Sequence, residues 1–358
     1  MTGALTNERP GGKARQVRPF LLAALALASA GALFVLYAIY WPNAFQGAAE
    51  KAFYVSRGET FTQIVDSLEI QGVIRSRGLF TFVANLRGGI ARLQVGKYIF
   101  PRGVSNAAVF QSLRTGRGVV MIPVTLREGL TARRQARILA RALGIDSAKY
   151  LSLAGDTAFA HSLGFHEETL EGCLLPDTYA FGWQPDERDV IRRITEEFRR
   201  FYGDSLQLRA SALGLSTREV LTVASLVEGE THLSDERPLV AGVYYNRLRR
   251  GMRLEADPTI QYIVEGGPRR LSYTDLVLDS PYNTYRHSGL PPGPVNNPGR
   301  ASILAALSPA RHQYLFFVAN GRGGHWFSAT YQDHLRFVRM ARKLRRLTEA
   351  GEPDAPRK

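Results

Sequence analysis

The chain has 358 residues, enough for two folded domains, and its 45% hydrophobic and 22% charged content excludes wholesale disorder. Its single cysteine, Cys173, excludes an internal disulfide framework and a cysteine-rich metal site. The net charge of +14 favours an anionic partner such as nucleic acid, acidic lipid or a carboxylate-rich polymer. Because no block of lysine and arginine carries interleaved aromatic residues, nucleic acid is not expected among the partners.

An apolar segment near the N-terminus predicts a membrane anchor. Residues 20–41 contain no charged side chain, and as a helix they would span about 33 Å, enough to cross the hydrocarbon core. Arg15 and Arg18 precede the segment, which places the basic tail of residues 1–19 in the cytoplasm and exports the rest of the chain. A cleaved signal peptide is the alternative, since residues 28–30 (Ala-Ser-Ala) resemble a cleavage site, but the apolar run continues well beyond them.

Residues 52–117 show a mixed α/β pattern. A strand from about residue 52 is followed by Gly58, which suits a turn, and by Thr60, which suits a helix N-cap; a second strand is predicted at 93–103. The opening of this region resembles a LysM module, a small βααβ fold that binds N-acetylated glycans. A β-turn-α unit without a ligand is an equally good interpretation.

Further along the chain the pattern predicts an α+β fold. Residues 170–181, with Pro176 inside, suit a rigid loop or an edge strand. Residues 280–299 hold five prolines and predict a long, stiff loop, a kind of segment that is usually functional or disordered. The last residues, 349–358, are predicted to be disordered. Helices are expected at about 131–143, 147–154, 187–203, 301–307 and 331–347, and strands at 119–124, 314–320 and 325–329.

One helix carries an acid on its apolar face. Ser216 and Glu219 form a predicted capping box at its start. Glu228 then lies four residues after Ala224 and seven after Leu221, where the apolar stripe expects another hydrophobic side chain. Either Glu228 forms a salt bridge with an arginine, or burial keeps it protonated near neutral pH so that it serves as a general acid.

No second carboxylate is evidently placed beside Glu228. Glu230 lies about 200° away around the helix, so the two acids share a pocket only if the helix ends at Gly229. Glu255 and Asp257 are other candidates, beyond a second helix that Ser234 is expected to cap. A single acid is a poor arrangement for an ordinary glycosidase, but it suits an enzyme whose substrate supplies its own nucleophile.

Neither a metal nor a cofactor is expected. The histidines show no metal-ligand spacing, and the turn at 321–324 (GRGG) lacks the Lys-Ser/Thr pair of a phosphate loop.

Several motifs in a fixed order resemble one family. They are LEGCLLPDTY (170–179), ASLVEGET (224–231), YYNRLRRGMRLEADPTIQY (244–262), SPYNTYRHSGLPPGPVNNPG (280–299) and GGHWF (323–327). In this order they are similar to the endolytic murein transglycosylases, the MltG/YceG-like family, over about residues 52–345. The resemblance implies a catalytic domain over 118–348, anchored by one span in the cell inner membrane and facing the periplasm.

What the resemblance implies is a lyase that cleaves the β-1,4 bond between N-acetylmuramic acid and N-acetylglucosamine within nascent peptidoglycan strands. The family's catalytic glutamate matches Glu228, which would protonate the glycosidic oxygen. As a carboxylate it would then accept the proton of the muramoyl O6 hydroxyl, and the ring would close to a 1,6-anhydro end. Binding to penicillin-binding peptidoglycan synthases is implied in the same way.

Six further residues are predicted to contact the glycan. In this interpretation a tyrosine stacks on a sugar face and amides bind acetamido groups, whereas Asp257 also suits a turn or an N-cap and His325 also suits a strand cap. Gly229 departs from the family pattern, in which a longer side chain is expected, and could loosen or end the helix. A non-catalytic glycan-binding scaffold that recruits synthases, and a conventional hydrolase using Glu228 with Asp257 or Glu230, remain alternatives. The predicted contacts are Glu230, Asp257, Gln261, Asn283, Tyr285 and His325.

Overall fold

The computed structural model describes residues 14–45, 47–89, 93–267 and 269–349. The chain divides into two units, one formed by residues 1–121 with 182–184 and the other by 122–181 with 185–358. Both contain helices and short antiparallel strand pairs, so the predicted α+β class is confirmed. Most of the tail predicted to be disordered lies outside the described residues.

The first helix is the predicted membrane anchor. Helix α1 (Ala14–Tyr40) contains a 22-residue apolar span, Pro19–Tyr40, that is long enough to cross a membrane and is exposed over most of its length. Only the end of the helix packs on its own unit, where Ala38 contacts a small cluster with Val83. Length and composition therefore agree with a single-pass anchor, whereas its orientation stays a prediction.

The first unit continues with β1 (Glu50–Val55), α2 (Phe61–Ile70), α3 (Arg77–Leu86), β2 (Gly96–Pro101) and α4 (Asn106–Thr115). β1 and β2 pair antiparallel, and Thr60 caps α2 through a capping box with Gln63, as the sequence indicates. The first four of these elements have the expected β-α-α-β order. Assignment of the unit as a LysM module, and glycan binding by it, stay predictions.

The second unit contains eleven helices and four strands among the described residues. Strands β3 and β4 pair antiparallel, as do β5 and β6, and β4 forms the end of the segment predicted to be a loop or an edge strand. The elements are β3 (Ile122–Thr125), α5 (Ala132–Leu143), α6 (Ser147–Ala154), α7 (Thr157–Ser162), β4 (Thr178–Phe181), α8 (Glu187–Phe201), α9 (Asp204–Ala212), α10 (Thr217–Glu230), α11 (Arg237–Arg249), α12 (Asp257–Ile263), α13 (Tyr273–Leu276), α14 (Arg300–Leu307), β5 (Phe316–Ala319), β6 (His325–Ser328) and α15 (Tyr331–Glu349).

Helix α10 lies in the core of the second unit. Ser216 and Glu219 form the predicted capping box at its start. Every residue from Val220 to Glu228 is buried, because α11, α12 and α14 all pack against it. A helix enclosed on several sides needs apolar residues around most of its circumference, which explains why its stripe is broad. Glu228 therefore ends a run of residues with almost no contact with solvent.

Gly229 does not end α10, so the possibility that the helix ends there is excluded, whereas loosening of the helix at Gly229 stays a prediction. The helix continues to Glu230. A Cβ at position 229 would lie 2.5 Å from Cγ of Pro258, in the first turn of α12. Glycine therefore lets α12 approach α10 more closely than a lysine would allow, and this close approach is a tertiary contact that the local sequence does not reveal.

Two predicted helix caps also differ from the structure. Helix α11 has Glu236 as its N-cap instead of Ser234, with Pro238 in its first turn. Helix α12 has Ala256 as its N-cap, and Asp257 is its first residue. The proline-rich segment 280–299 contains no helix or strand, as predicted; within it Asn297 forms only an isolated bridge with Leu130.

Candidate active site

Glu228 is held by the N-terminus of a helix distant in sequence. Its side chain is 2% exposed. Its Oε2 accepts hydrogen bonds from the backbone N–H of Gly299, at 3.0 Å, and from Oγ of Ser302, at 2.8 Å. These donors belong to the N-cap and first turn of α14, where backbone N–H groups and the helix dipole stabilise negative charge. Oε2 is thus fixed as an acceptor.

The other oxygen of Glu228 faces an arginine that is shared with a second acid. Nη2 of Arg237 lies 3.7 Å from Oε1 of Glu228 and 3.6 Å from Oε2 of Glu128. Arg237 is almost completely buried, whereas the Glu128 side chain is half exposed. Burial and the charge of Glu228 together raise the pKa of Glu128, and Arg237 opposes them. The site therefore contains a carboxylate–guanidinium–carboxylate arrangement.

Sequence reasoning missed Glu128 and Arg237. Glu128 lies one hundred positions before Glu228, so no local spacing connects the two acids. Its carboxylate approaches the backbone of Gly299 so closely that a Cβ there would collide with it. In the sequence Arg237 is an arginine near the start of the helix that follows Ser234, and nothing in the local pattern links it to Glu228. A glycine, Gly129, directly follows Glu128 in the sequence and could have indicated a turn there. In the structure Gly129 has a φ of 73°.

Two cavities adjoin the acid. A cavity of about 430 Å³ is lined by Glu128 and Glu228, together with Asp177 and His232. A larger cavity of about 850 Å³ is lined by Gly129 and Gly229, the residues that directly follow Glu128 and Glu228. The backbone at residues 128–129 and 228–229 therefore borders both cavities, with the Glu228 carboxyl on the side of the smaller one.

Glu171, from the LEG element, lies on the larger cavity. It accepts hydrogen bonds from Ala132 N, at 3.0 Å, and from Nδ2 of Asn297, at 2.7 Å. Burial raises the pKa of Glu171 to about 7 despite these two donors. The fully buried Asn297 also accepts from the backbone N–H groups of Gly172 and Leu174. The LEG element is thereby fastened to the proline-rich loop.

Glu230 has partners different from those of Glu228. Its Oε1 accepts a 2.8 Å hydrogen bond from the Tyr244 hydroxyl on α11. Burial raises the pKa of Glu230 to about 7, the Tyr244 hydrogen bond opposes this shift, and the charge of Asp257 adds to it. The two acids therefore occupy different surroundings, as the helical spacing predicts. The structure brings Glu230 near Asp257, whose Oδ1 accepts a 2.5 Å hydrogen bond from the Tyr285 hydroxyl.

The amide side chains of Asn283 and Gln261 bind backbone groups of their own surroundings. Asn283 is completely buried, and its Nδ2 donates to the carbonyls of Leu276 and Leu278, so it holds the proline-rich loop. Gln261 exchanges two hydrogen bonds with the backbone of Arg269, and it also lines the larger cavity. Contact of either side chain with a glycan stays a prediction.

His325 lies at the start of β6 and contacts an acid at the start of α11. Its Nδ1 is 2.7 Å from Oε2 of Glu236, whose other oxygen accepts from the His325 backbone N–H. His325 is thereby tied to Glu236, and neither residue lines the two cavities described above. A role for His325 in substrate binding stays a prediction.

A buried acid that borders two cavities, with a guanidinium and a second carboxylate beside it, defines a site suited to acid–base chemistry. The chain belongs to the YceG-like family, whose family model matches residues 53–340. It is similar to the endolytic murein transglycosylase of Bacillus subtilis (strain 168), with 30% identity over 296 residues that cover 78% of this chain and 81% of that protein.

Two further comparisons agree. The endolytic murein transglycosylase of Streptococcus pneumoniae (strain ATCC BAA-255 / R6) is 28% identical over 318 residues, which cover 79% of this chain and 57% of that protein. A 2.6 Å crystal structure of a putative yceG-like protein from Listeria monocytogenes matches with a TM-score of 0.59 and 28% identity, covering 80% of this chain and 98% of that chain.

Proposed function

We propose that this protein is a lytic transglycosylase that cleaves peptidoglycan glycan strands internally, with Glu228 as its general acid and then its general base. The observation that carries the proposal is the asymmetric environment of Glu228, in which Oε2 accepts two hydrogen bonds and Oε1 accepts none among the described residues. The relatives named endolytic murein transglycosylase support the enzyme class and the substrate.

The first step uses the proton on Glu228. Because Oε2 accepts from Gly299 N and Ser302 Oγ, the acidic proton resides on Oε1. Oε1 donates it to the glycosidic oxygen, and the bond from that oxygen to C1 of the muramoyl residue breaks. The carboxylate that remains is stabilised by the two donors and by Arg237, so the negative charge is formed in a prepared environment.

In the second step the same carboxylate acts as the base. It accepts the proton of the muramoyl O6 hydroxyl while O6 bonds to C1, which closes the 1,6-anhydro ring and restores the protonated acid. No water is consumed, so one carboxyl group suffices for both proton transfers. Glu128 shares Arg237 with Glu228, so the guanidinium charge is not directed at Glu228 alone.

A conventional hydrolase is the second candidate, and the position of Glu128 favours it. The two carboxylates share Arg237 and line one cavity, which is the type of arrangement in which one acid protonates the leaving group and the other activates water. In the hydrolase, Glu128 would be the second carboxylate, the role for which the sequence suggests Asp257 or Glu230.

Product masses distinguish the candidates. The full chain in detergent is incubated with uncross-linked peptidoglycan strands, and the fragments are analysed by mass spectrometry. Transglycosylation gives anhydro ends that are lighter by one water than the reducing ends of a hydrolase, and a scaffold gives no fragments. Glu228→Gln, shown by circular dichroism to be folded, is expected to give no fragments; full activity of this variant would refute the assignment of the acid.

Glu128→Gln tests the role of the second carboxylate. In the transglycosylase Glu128 takes part in neither proton transfer, so Glu128→Gln is expected to retain cleavage with anhydro products. Loss of cleavage at every pH would instead support the hydrolase. Glu168→Gln, at an exposed acid that lines neither cavity, is the control.

We also propose that the chain is anchored in the cell inner membrane with its N-terminus in the cytoplasm and its second unit in the periplasm. The apolar span and the arginines that precede it support this orientation. Glycan binding by the first unit and association with penicillin-binding synthases are proposed on the family resemblance alone. Retention of purified glycan strands and of detergent-solubilised synthases on the immobilised full chain would test both.

A further inference from the structure

The larger cavity carries an excess of positive charge that nothing in the proposed chemistry uses. Arg133, Arg134 and Arg137, all on α5, line it. Within the described residues none of the three forms an ion pair or a side-chain hydrogen bond. Arg133 and Arg137 are exposed, and Arg134 lies against Gly267, where a Cβ would be 2.9 Å from its Nη2. Uncompensated guanidinium groups around a concave surface attract an anion.

The acids that line the same cavity do not neutralise the three arginines. Glu171 is bound to Ala132 N and Asn297, and burial raises its pKa to about 7, so it is only partly ionised at neutral pH. Glu265 is exposed and also lines the cavity. The three arginines therefore outweigh the acids at neutral pH, and they do so along one helix.

A second, independent feature points to a ligand. Asn296 lines the same cavity and is 6% exposed. Its Nδ2 donates to the carbonyl of Ser225 at 2.8 Å, but its Oδ1 has no hydrogen-bond partner among the described residues. Buried acceptors are almost always satisfied in folded proteins, so an unsatisfied one beside a cavity suits a ligand that supplies an N–H or O–H donor.

We propose that the larger cavity binds the stem peptide attached to the muramoyl residue, with the peptide's carboxylates at Arg133 and Arg137 and an amide N–H at Asn296. This assignment rests on the proposed function. The cavity is lined by Gly129 and Gly229, the residues that directly follow Glu128 and Glu228, so it lies next to the place where the sugar would bind beside Glu228. Its volume of about 850 Å³ lies within the range of sites that enclose a ligand of several residues.

Charge selects the peptide over the sugars. The N-acetylated backbone of a glycan strand is neutral when each lactyl group is amide-linked, whereas a stem peptide carries free carboxylates. Arginine recognises carboxylates through paired N–H donors, which gives strength as well as direction. The consequence is that strands with stem peptides should be bound more tightly than strands whose lactyl groups carry only a simple neutral amide.

Binding is measured on the full chain in detergent carrying Glu228→Gln, so that no ligand is cleaved. The probes are a GlcNAc–MurNAc disaccharide bearing a tetrapeptide and the same disaccharide with its lactyl carboxyl group converted to the neutral methylamide, titrated by calorimetry. The peptide-bearing probe is expected to bind more tightly, and the addition of Arg133→Gln with Arg137→Gln is expected to weaken it about tenfold without affecting the other probe. Arg133→Lys with Arg137→Lys should recover part of the loss.

Arg141→Gln is the matched control, because Arg141 is exposed on the same helix but does not line the cavity. Equal affinity for the two probes, or a preference that survives the Arg133/Arg137 double glutamine substitution, would overturn the proposal. So would a preference unaffected by raising the salt concentration, since exposed ion pairs are screened. Strand cleavage by the wild-type chain is measured separately, so a missing transglycosylase activity and a missing peptide preference are told apart.

Discussion

At the scale of single residues, the site is distinguished by the different partners of the two carboxyl oxygens of Glu228. Oε2 of Glu228 is fixed by Gly299 and Ser302, and Oε1 is left to the guanidinium of Arg237. One oxygen orients the carboxyl group, and in the proposed mechanism the other exchanges the proton. The sequence predicts the acid on its apolar stripe, but it cannot predict these partners, because all three come from elements that follow α10 in the chain.

Ser302→Ala should reduce catalysis more than stability. The substitution removes the 2.8 Å hydrogen bond to Oε2, and a hydrogen bond to a charged group contributes about 1.5–3 kcal/mol, so kcat is expected to fall about tenfold to a hundredfold. The measurement is the initial rate of fragment release from glycan strands. Ser308→Ala, at the exposed C-terminal end of α14, should leave the rate unchanged; an unchanged rate for Ser302→Ala would show that this hydrogen bond is dispensable.

Glu230 should make the stability of the fold depend on pH. Its pKa is about 7 in the folded protein, above the ordinary value of 4.5, so folding favours the protonated form. The contribution of Glu230 to the free energy of unfolding is therefore fully present below about pH 4.5. It decreases as the pH rises toward 7, by up to about 3 kcal/mol.

Glu230→Gln should remove that loss, because an amide does not ionise. The free energy of unfolding, measured by urea titration between pH 5 and pH 8, should fall less with pH in the variant than in the wild type. Glu265→Gln, at an exposed acid, should follow the wild type. Parallel curves for the wild type and Glu230→Gln would contradict the assignment of this pKa shift to Glu230.

At the scale of elements, the close approach of α10 and α12 shapes the wall of the larger cavity. Gly229 and Pro258 both line that cavity and meet where a Cβ would not fit. The capping box of α10 was predictable because it depends on residues three apart. The need for glycine at position 229 was not predictable, because it depends on Pro258, 29 positions later, which only the tertiary structure brings close.

Gly229→Ala should destabilise the protein although alanine is the better helix former. The gain in helix propensity is about 1 kcal/mol, but a Cβ at 2.5 Å from Pro258 forces the two helices apart, and such overpacking costs about 1–3 kcal/mol. Thermal unfolding is expected at a lower temperature. Adding Pro258→Ala should recover part of the loss. Gly78→Ala in α3 is the control, since a Cβ there meets nothing closer than 3.6 Å and should stabilise slightly.

At the scale of the whole molecule, the order of elements was largely predictable and the assembly of the site was not. Hydrophobic periodicity and turn residues indicate many helices and strands within a few positions, as for α6 at Ser147–Ala154, but they did not indicate helices α4, α7, α9, α12 and α13. The site, in contrast, joins residues 128, 228, 237 and 299–302, and no periodicity encodes contacts over such separations. The family motifs pointed to Glu228, but they identified neither Glu128 nor the arginines on α5.

The anchor prediction belongs to this scale. Leu25→Arg together with Leu33→Arg places two charges in the exposed apolar span of α1, each costing about 2.5–3.5 kcal/mol at the centre of a bilayer. The variant is expected to leave the membrane fraction after an alkaline carbonate wash, whereas the wild type stays. Leu86→Arg, at an exposed leucine outside the span, should remain membrane-bound; release of the wild type by the same wash would contradict the anchor.

The donors that hold Glu228 come from residues 71 and 74 positions further along the chain. During synthesis and export the acid therefore emerges well before Gly299 and Ser302 do. A chain interrupted before α14 would possess its glutamate without the groups that orient it, so the proposed cleavage would require a chain synthesised past Ser302. In the proposed function, incomplete copies that lack α14 would therefore leave glycan strands uncut.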